Sequence, residues 1–379
     1  MALGRALLGA ARRGGPRLDD DSRLAAYVDR PSTGREEASL RPVVGPPMTH
    51  PRDALLDAGE ATTALPVCDH YCGVEVRMRK SLELQAELGP VFDVTLDCED
   101  GAPVGGEAEH AQMAAEIALS AANRFGRVGA RVHPVDHPSF ADDVATLVGR
   151  AGGVLAYLMC PKAQGLADVQ RACAEIDHRM RVAGHARPLP VHALIETHGA
   201  LREVEAIAAH PRIESLSFGL MDFVAAHRGA IHASAMSAEG QFSHPLVRRA
   251  KLAISAACHG HAKTPSHYVV TEFNDLAAVS EAATRASRWF GYTRMWSIHP
   301  NQIVPILEAF APSAAEVEHA IVIIAAAQDA EWAPISHLDT LHDRASYRYY
   351  WQVLERAHRT GQPLPVEVRQ RFFAPLPGS

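Results

Sequence analysis

Long apolar runs are missing from this chain. Nowhere do about 18 consecutive apolar residues occur, so no helical membrane span is expected. An excess of positive charge is missing too. Lys and Arg number 37 against 44 Asp and Glu, a formal net charge of −7. That argues against nucleic acid or an anionic membrane as the main partner. An anionic substrate stays compatible, because one local arginine outweighs a weak global charge. No glycine fingerprint follows the first strand-like run, which counts against a dinucleotide-binding open sheet. Cysteines are few: Cys68, Cys72, Cys98, Cys160, Cys173 and Cys258. Four sit in or near apolar runs, which suits reduced core thiols in a cytoplasm. Cys68-Asp69-His70-Tyr71-Cys72 raises a zinc hypothesis, but no second Cys/His pair of finger-like spacing follows.

What is present suits a globular protein. Of 379 residues, 47% are hydrophobic and 21% charged, enough for a substantial core. Residues 1–47 differ from the rest, being rich in Arg, Gly, Pro and Asp with little periodicity. Arg12-Arg13 and the lack of acidic residues before Asp19 bear a faint likeness to a transit peptide, but a disordered extension is the preferred expectation. Met48-Thr49-His50-Pro51 offers an alternative start.

From residue 64 the pattern alternates. Strand-like runs are predicted at 64–68, 91–97, 127–133, 155–160, 189–195, 213–219, 266–270 and 294–298. Amphipathic helical segments lie between them, with apolar residues recurring at three and four, as in Val74, Met78 and Leu82. Eight β-then-α units in series specify parallel strands with right-handed crossovers, and eight is the number that closes a (β/α)₈ barrel. The barrel is expected over 48–312. A helical extension over 313–379 follows, opened by a capping box at Ser313 and Glu316. The polar, aromatic stretch from His337 to Trp351, followed by a last helix to about His358, is expected to form a lid, a subunit-swapped arm or a helix packed on the outside of the barrel.

In such a barrel, function collects where the strands end. Val191–Ile195 runs into Glu196, and the run from Ile213 leads to Asp222. Two hard oxygen ligands at one mouth, with room for water and substrate, suit Mg²⁺ or Mn²⁺. Strand 2 ends at Asp97, Glu99 and Asp100; strand 3 carries Arg131 and His133; strand 4 ends at Pro161-Lys162; strand 8 leads into His299. Each has a plainer reading beside it. Arg131 and Asp97 pair inside the barrel, Lys162 is a rim lysine rather than a Schiff-base former, His133 and His299 are strand-end hydrogen bonders, and the aromatic run Tyr347–Trp351 is packing.

These segments, in order, resemble the HpcH/HpaI aldolase and citrate lyase beta-subunit family. The matching pieces are Leu96-Asp97-Cys98-Glu99-Asp100, Arg131-Val132-His133, Pro161-Lys162, Ile195-Glu196-Thr197, Phe218-Gly219-Leu220-Met221-Asp222 and Ile298-His299-Pro300-Asn301-Gln302-Ile303. The resemblance covers about residues 64–312. It implies a (β/α)₈ barrel with a C-terminal helical region and a Mg²⁺-dependent carbon–carbon lyase acting beside a carbonyl or thioester. It also implies Glu196 and Asp222 as metal ligands and Arg131 as the group on the substrate carbonyl and enolate. Asp97 and Glu99 then support the substrate and metal. Asp343, in Leu341-His342-Asp343-Arg344, matches the acidic lid that serves a neighbouring subunit, so a homo-oligomer, trimer or hexamer, is implied. Two departures bear on coenzyme A. Pro66-Val67-Cys68-Asp69-His70 replaces the family's P-G-N segment, and the lysine after the acidic strand end is replaced by Gly105-Gly106-Glu107.

The expectation is therefore a cytoplasmic, Mg²⁺-dependent aldolase-type lyase. Its substrate is a small hydroxy or keto acid or the CoA thioester of one. The rivals are an acyl-CoA thioester hydrolase on the same site, and a non-catalytic subunit that binds metal and acid.

Overall fold

The computed structural model describes residues 49–56 and 65–374. The expectation for residues 1–47 lies outside these residues. Eight parallel strands close into a barrel in chain order: β1 Cys68–Cys72, β2 Phe92–Asp97, β3 Val128–Arg131, β4 Leu158–Cys160, β5 Val191–Ile195, β6 Ile213–Phe218, β7 Thr264–His267 and β8 Arg294–Ser297. Pairing of Cys68 with Met295 and of His70 with Ser297 completes the ring. Helices follow the strands around the outside and bury their apolar stripes against the sheet, as Val144, Leu147 and Val148 do on the helix Phe140–Ala151.

The first strand does not lie where the apolar run places it. Ala64–Cys68 was the predicted segment, but pairing runs from Cys68 to Cys72. The shift has a physical cause. Asp69 faces a polar layer in the lower half of the barrel, where Arg294 Nη2 sits 3.0 Å from Asp69 Oδ2 and Arg294 Nη1 sits 2.7 Å from Asp93 Oδ2. Thr95 and Tyr157 hydroxyls also donate to Asp69 Oδ1, at 2.7 and 3.0 Å. All three ionic side chains are fully buried, and a paired charge is tolerated inside only because its partners satisfy it. Cys68 and Cys72 are strand residues here. Cys68 donates to Ser297 Oγ and Cys72 to the Thr95 carbonyl, so the zinc hypothesis gains nothing. Among the described residues no group of three or more His, Cys, Asp or Glu is arranged to hold a metal by itself. All six cysteines are free and buried.

The capping box expected at Ser313 and Glu316 is present. Ser313 caps the helix Ala314–Asp329, with Glu316 reaching back to the Ser313 N–H at 2.7 Å. The stretch from His337 to Trp351 joins a hairpin to a helix. A hairpin forms from β9, Ile335–His337, and β10, Thr340–His342. The helix Arg344–Arg359 follows, then a further helix, Val366–Phe372, after Pro365. Tyr347 and Trp351, four residues apart, are both buried in a satellite core with Val317, Ile324 and Phe372. Residues 49–56 join this core rather than the barrel, since Leu55 is buried there and Arg52 pairs with Glu355 at 3.0 Å. A cleft shared by Arg348 and Gln352 with Thr264 and Thr293 puts the helix Arg344–Arg359 at the strand-start end, the floor of the barrel. Among the described residues no single helix is long and apolar enough to cross a membrane.

Candidate active site

A cavity of about 820 Å³ opens at the strand-end face. Its walls carry Asp97 and Arg131 from the ends of β2 and β3, Glu196 after β5, and Asp222 after β6. Parallel strands aim these residues at one mouth, as their positions in the chain foretold.

Glu196 is 2% exposed. Its Oε1 accepts the Lys162 backbone N–H at 2.6 Å. Lys162 reaches that position with φ +52°, a left-handed conformation unfavourable for a lysine and fixed by its surroundings. Burial, and then the negative charge of Asp222, push the Glu196 carboxyl up from 4.5 to about 8. No cation forms an ion pair with Glu196 or Asp222 among the described residues. Gly219 explains how the two elements come so close. A Cβ at that position would collide with the Glu196 carboxylate, so the backbone before Asp222 lies directly against it.

The other carboxylates are paired. Arg131 clasps Asp97 at two points, with Nε 2.7 Å from Oδ1 and Nη2 on Oδ2. Its Nη1 lies 2.9 Å from Glu99 Oε2. The guanidinium is buried, which opposes its charge, but Asp97 and Glu99 more than offset this and keep it firmly protonated. It also sits over the Tyr71 ring at 5.5 Å, within cation–π range. Asp97 accepts the Glu99 and Gly101 N–H groups as well, which shapes the loop after β2. Lys162 Nζ binds Glu99 and, at 2.8 Å, Asp100 Oδ2. Partial burial opposes the ammonium, but Asp100 and Glu99 outweigh it and hold the pKa above its ordinary value. A lysine so held is a poor Schiff-base nucleophile, which needs its free amine.

Asp343 is elsewhere. It is exposed and caps the helix Arg344–Arg359, its Oδ1 accepting the Ala345 N–H at 3.0 Å. The helix it starts runs along the barrel floor, so Asp343 does not line its own chain's mouth cavity. His133 is held by Asp143 at 2.6 Å at the end of its strand, and His299 caps the turn at Pro300 and also lines the mouth cavity.

Several further residues line the mouth that the sequence did not place there. Tyr71 and Trp296 stack at 4.4 Å to form one wall, and both line the cavity. His70 lines it too, with Nδ1 2.7 Å from Ser297 Oγ, and burial lowers its pKa to about 4, so it is neutral near pH 7. Arg77 and Lys80, exposed on the helix Glu75–Leu88, stand on the cavity rim. Their signal was available: the first helix after β1 carries Arg77, Arg79 and Lys80 close together.

Glu196 and Asp222 fit a divalent cation by the chemistry of the donor set. Two hard carboxylates face each other, one deeply buried, with no positive partner. The paired acids, Asp97 and Glu99, are not free in the same way.

A closed barrel of eight parallel strands with an acidic strand-end mouth is a (β/α)₈ barrel. The profile of the HpcH/HpaI aldolase/citrate lyase family matches residues 92–300. The chain is 32% identical over 247 residues to an L-malyl-CoA/beta-methylmalyl-CoA lyase of Cereibacter sphaeroides, covering 62% of this chain and 76% of that protein. It is 29% identical over 258 residues to a malyl-CoA/beta-methylmalyl-CoA/citramalyl-CoA lyase of Chloroflexus aurantiacus, covering 61% and 71%. A crystal structure of a citrate lyase from Burkholderia xenovorans LB400 matches with a TM-score of 0.75 and 53% identity, over 86% of this chain and 100% of that one. The Mycobacterium tuberculosis protein CitE, solved with magnesium, acetoacetate and coenzyme A, shares the fold at a TM-score of 0.59 and 21% identity, over 79% and 99%. This chain belongs to the HpcH/HpaI aldolase/citrate lyase family. It is by class a carbon–carbon lyase.

Proposed function

We propose that this chain is a Mg²⁺-dependent lyase that cleaves or forms a carbon–carbon bond in the CoA thioester of a small hydroxy acid. Mn²⁺ is an alternative metal. The observation that carries the reading is the buried Glu196 carboxylate beside Asp222, neither in an ion pair among the described residues, next to a charged Arg131. The thioester form draws support from the malyl-CoA lyase relatives and from Arg77 and Lys80, cations at the cavity rim suited to phosphate groups.

Glu196 and Asp222 would hold the cation, which when bound supplies Lewis-acid stabilisation of a carbonyl or enolate oxygen. The chain's own residues do the rest. Arg131 presents a permanent positive charge to the same developing negative charge, in a partly enclosed mouth where such a contact is stronger than in water. Asp97 and Glu99 hold its plane and so fix its direction. They serve substrate binding through Arg131, since their own oxygens are already engaged. Lys162 and Asp100 complete that lattice. The stacked Tyr71–Trp296 wall excludes water from one side. A proton must move between the substrate hydroxyl, or the enolate carbon, and solvent. Asp343 from a neighbouring subunit of a homo-oligomer is the group assigned to it. A cytoplasmic setting accords with six free thiols.

Purified protein mixed with L-malyl-CoA and Mg²⁺ tests this. Release of glyoxylate and acetyl-CoA, abolished by EDTA and restored by Mg²⁺, is the expected result. Release of malate and free CoA would assign a thioester hydrolase instead. Tight binding of oxaloacetate or glyoxylate without turnover of any thioester tried would assign a binding subunit.

A further inference from the structure

The mouth has two unlike halves. Arg131, Glu196 and Asp222 stand at or just after the ends of β3, β5 and β6, while Tyr268 follows β7 and Trp296 and Tyr71 lie on β8 and β1. In a closed ring of eight strands in chain order, β3 and β7 lie opposite each other. Arg131 and Tyr268 therefore face one another across the mouth. His267 pairs with Met295 in the outward-facing register, so the next residues, Tyr268 and Trp296, are side by side on the inner face.

Five tyrosines are buried: Tyr71, Tyr157, Tyr268, Tyr292 and Tyr347. Four of them spend their hydroxyls inside the protein, Tyr71 on Met159 Sδ, Tyr157 on Asp69, Tyr292 on the Lys251 carbonyl and Tyr347 on the Ala333 carbonyl. The Tyr268 hydroxyl makes no hydrogen bond among the described residues, although a buried tyrosine ordinarily finds a partner. Burial, then the charges of Glu272 and Asp222, raise its pKa above the ordinary value. It keeps its proton near pH 7 and is a donor, not a base.

The main chain at this point is held from behind. His267 and Lys251, the latter on the helix Pro245–Gly260, are fully buried. His267 Nδ1 lies 2.8 Å from the Tyr268 carbonyl, which can only accept, so Nδ1 carries the proton and Nε2 accepts. Lys251 Nζ donates to that Nε2 at 2.7 Å and to Gln241 Oε1 at 2.8 Å. A buried network whose members are satisfied in this way rigidifies what it holds. Tyr268 thus starts from a fixed backbone and ends in an unengaged hydroxyl at the mouth.

We propose that Tyr268 is a further substrate-binding residue, its hydroxyl donating a hydrogen bond to the carboxylate of the oxo-acid fragment. The assignment rests on the lyase reading above. Cleavage divides the substrate into a thioester enolate and an oxo acid. Arg131 is placed for the first. Tyr268, on the opposite wall and near Asp222, is placed for the second. A donor of this kind suits a carboxylate, because a hydrogen bond to a charged acceptor is stronger than one between neutral groups.

Calorimetric titration of the full chain with glyoxylate in saturating Mg²⁺, beside the Tyr268→Phe variant, tests the assignment. The variant should bind glyoxylate about tenfold or more weakly, the worth of one hydrogen bond to a charged group. Its melting temperature without ligand should match that of the unmodified protein, because the hydroxyl has no partner to lose. Equal glyoxylate affinity in the two proteins would overturn the proposal, and so would no glyoxylate binding by the unmodified protein. A lower melting temperature or failure to fold in Tyr268→Phe would make the hydroxyl structural and overturn it as well. Glyoxylate binding that depends on Tyr268, in a protein that does not cleave L-malyl-CoA, would remove the lyase reading and keep Tyr268 as a binding residue.

Discussion

Replacing Glu196 with glutamine should stabilise the metal-free protein at alkaline pH. Burial and the charge of Asp222 raise the Glu196 carboxyl from 4.5 to about 8. The folded protein therefore holds this proton over a range where the unfolded chain has released it. Stability from this group is fully present below pH 4.5 and is lost as pH rises through about 8. At about 1.4 kcal/mol for each pH unit between the two values, the full loss is about 5 kcal/mol, an upper bound because a buried site relaxes around its charge. Glutamine keeps an acceptor for the Lys162 N–H and cannot ionise. In EDTA at pH 9 the Glu196→Gln variant should then melt about 5 °C above the unmodified protein. At pH 5 the two should melt together.

Mg²⁺ sharpens the test. At a hundredfold excess over its dissociation constant, a cation that binds only the folded state adds about 2.7 kcal/mol. It should raise the melting temperature of the unmodified protein at pH 9 and leave Glu196→Gln nearly unmoved. Differential scanning calorimetry at both pH values, with and without Mg²⁺, gives all the numbers. Equal melting at pH 9 in EDTA, or an equal gain from Mg²⁺ in both proteins, would refute the reasoning.

Arg131→Lys should cost about 3 kcal/mol in kcat/KM, the scale of losing one oxyanion donor, and should also lower the melting temperature because Asp97 and Glu99 lose their fork; near-normal kcat/KM would make Arg131 structural. Gly219→Ala should weaken Mn²⁺ binding about tenfold or more, measured by paramagnetic resonance, since its Cβ falls on the Glu196 carboxylate; unchanged affinity would show that Glu196 is not a ligand. Borohydride with substrate should leave Lys162 unlabelled, because its amine is held protonated by Asp100 and Glu99; a substrate-dependent label there would establish Schiff-base chemistry. Glu196→Gln and Asp343→Asn, each inactive alone, should regain activity when their subunits are mixed, and asparagine keeps the helix cap at 343; no recovery after demonstrated exchange would remove Asp343 from a neighbour's site.

The barrel was legible because its outer signals are local. Helical stripes such as Val144, Leu147 and Val148 follow a short period, β5 is a nearly unbroken apolar run, and β2 alternates Phe92, Val94 and Leu96 with polar residues. The two least apolar strands were placed off register. Asp69 and His70 in β1, and Pro265 and Ser266 in β7, look like loop residues until the barrel interior supplies their partners. Arg294, 225 residues beyond Asp69 in the chain, is that partner for β1, and no window of sequence contains both. The β9–β10 hairpin escaped notice for a related reason. It is three residues a side, half exposed, and contains no alternation long enough to read.

The site divides along the same line. That Glu196 and Asp222 share a mouth follows from parallel strands alone, since both close consecutive strands. Which carboxylates are free for a metal does not. Asp97, Glu99, Asp100, Glu196 and Asp222 are equally acidic on paper, and among the described residues two cations, Arg131 and Lys162, form ion pairs with any of them. The fold gives Arg131 to Asp97 and Glu99, and the Lys162 ammonium to Glu99 and Asp100. Lys162 offers Glu196 only its backbone N–H. A single neutral donor cannot balance a buried carboxylate facing another charge. The remaining imbalance falls on Glu196 and Asp222, and a divalent cation is the charge proposed to cancel it. An arginine placed there would balance the acids but leave no open positions for a substrate oxygen. On the proposed reading, pairing three of the acids and leaving two keeps the mouth able to take both a metal and an anionic substrate.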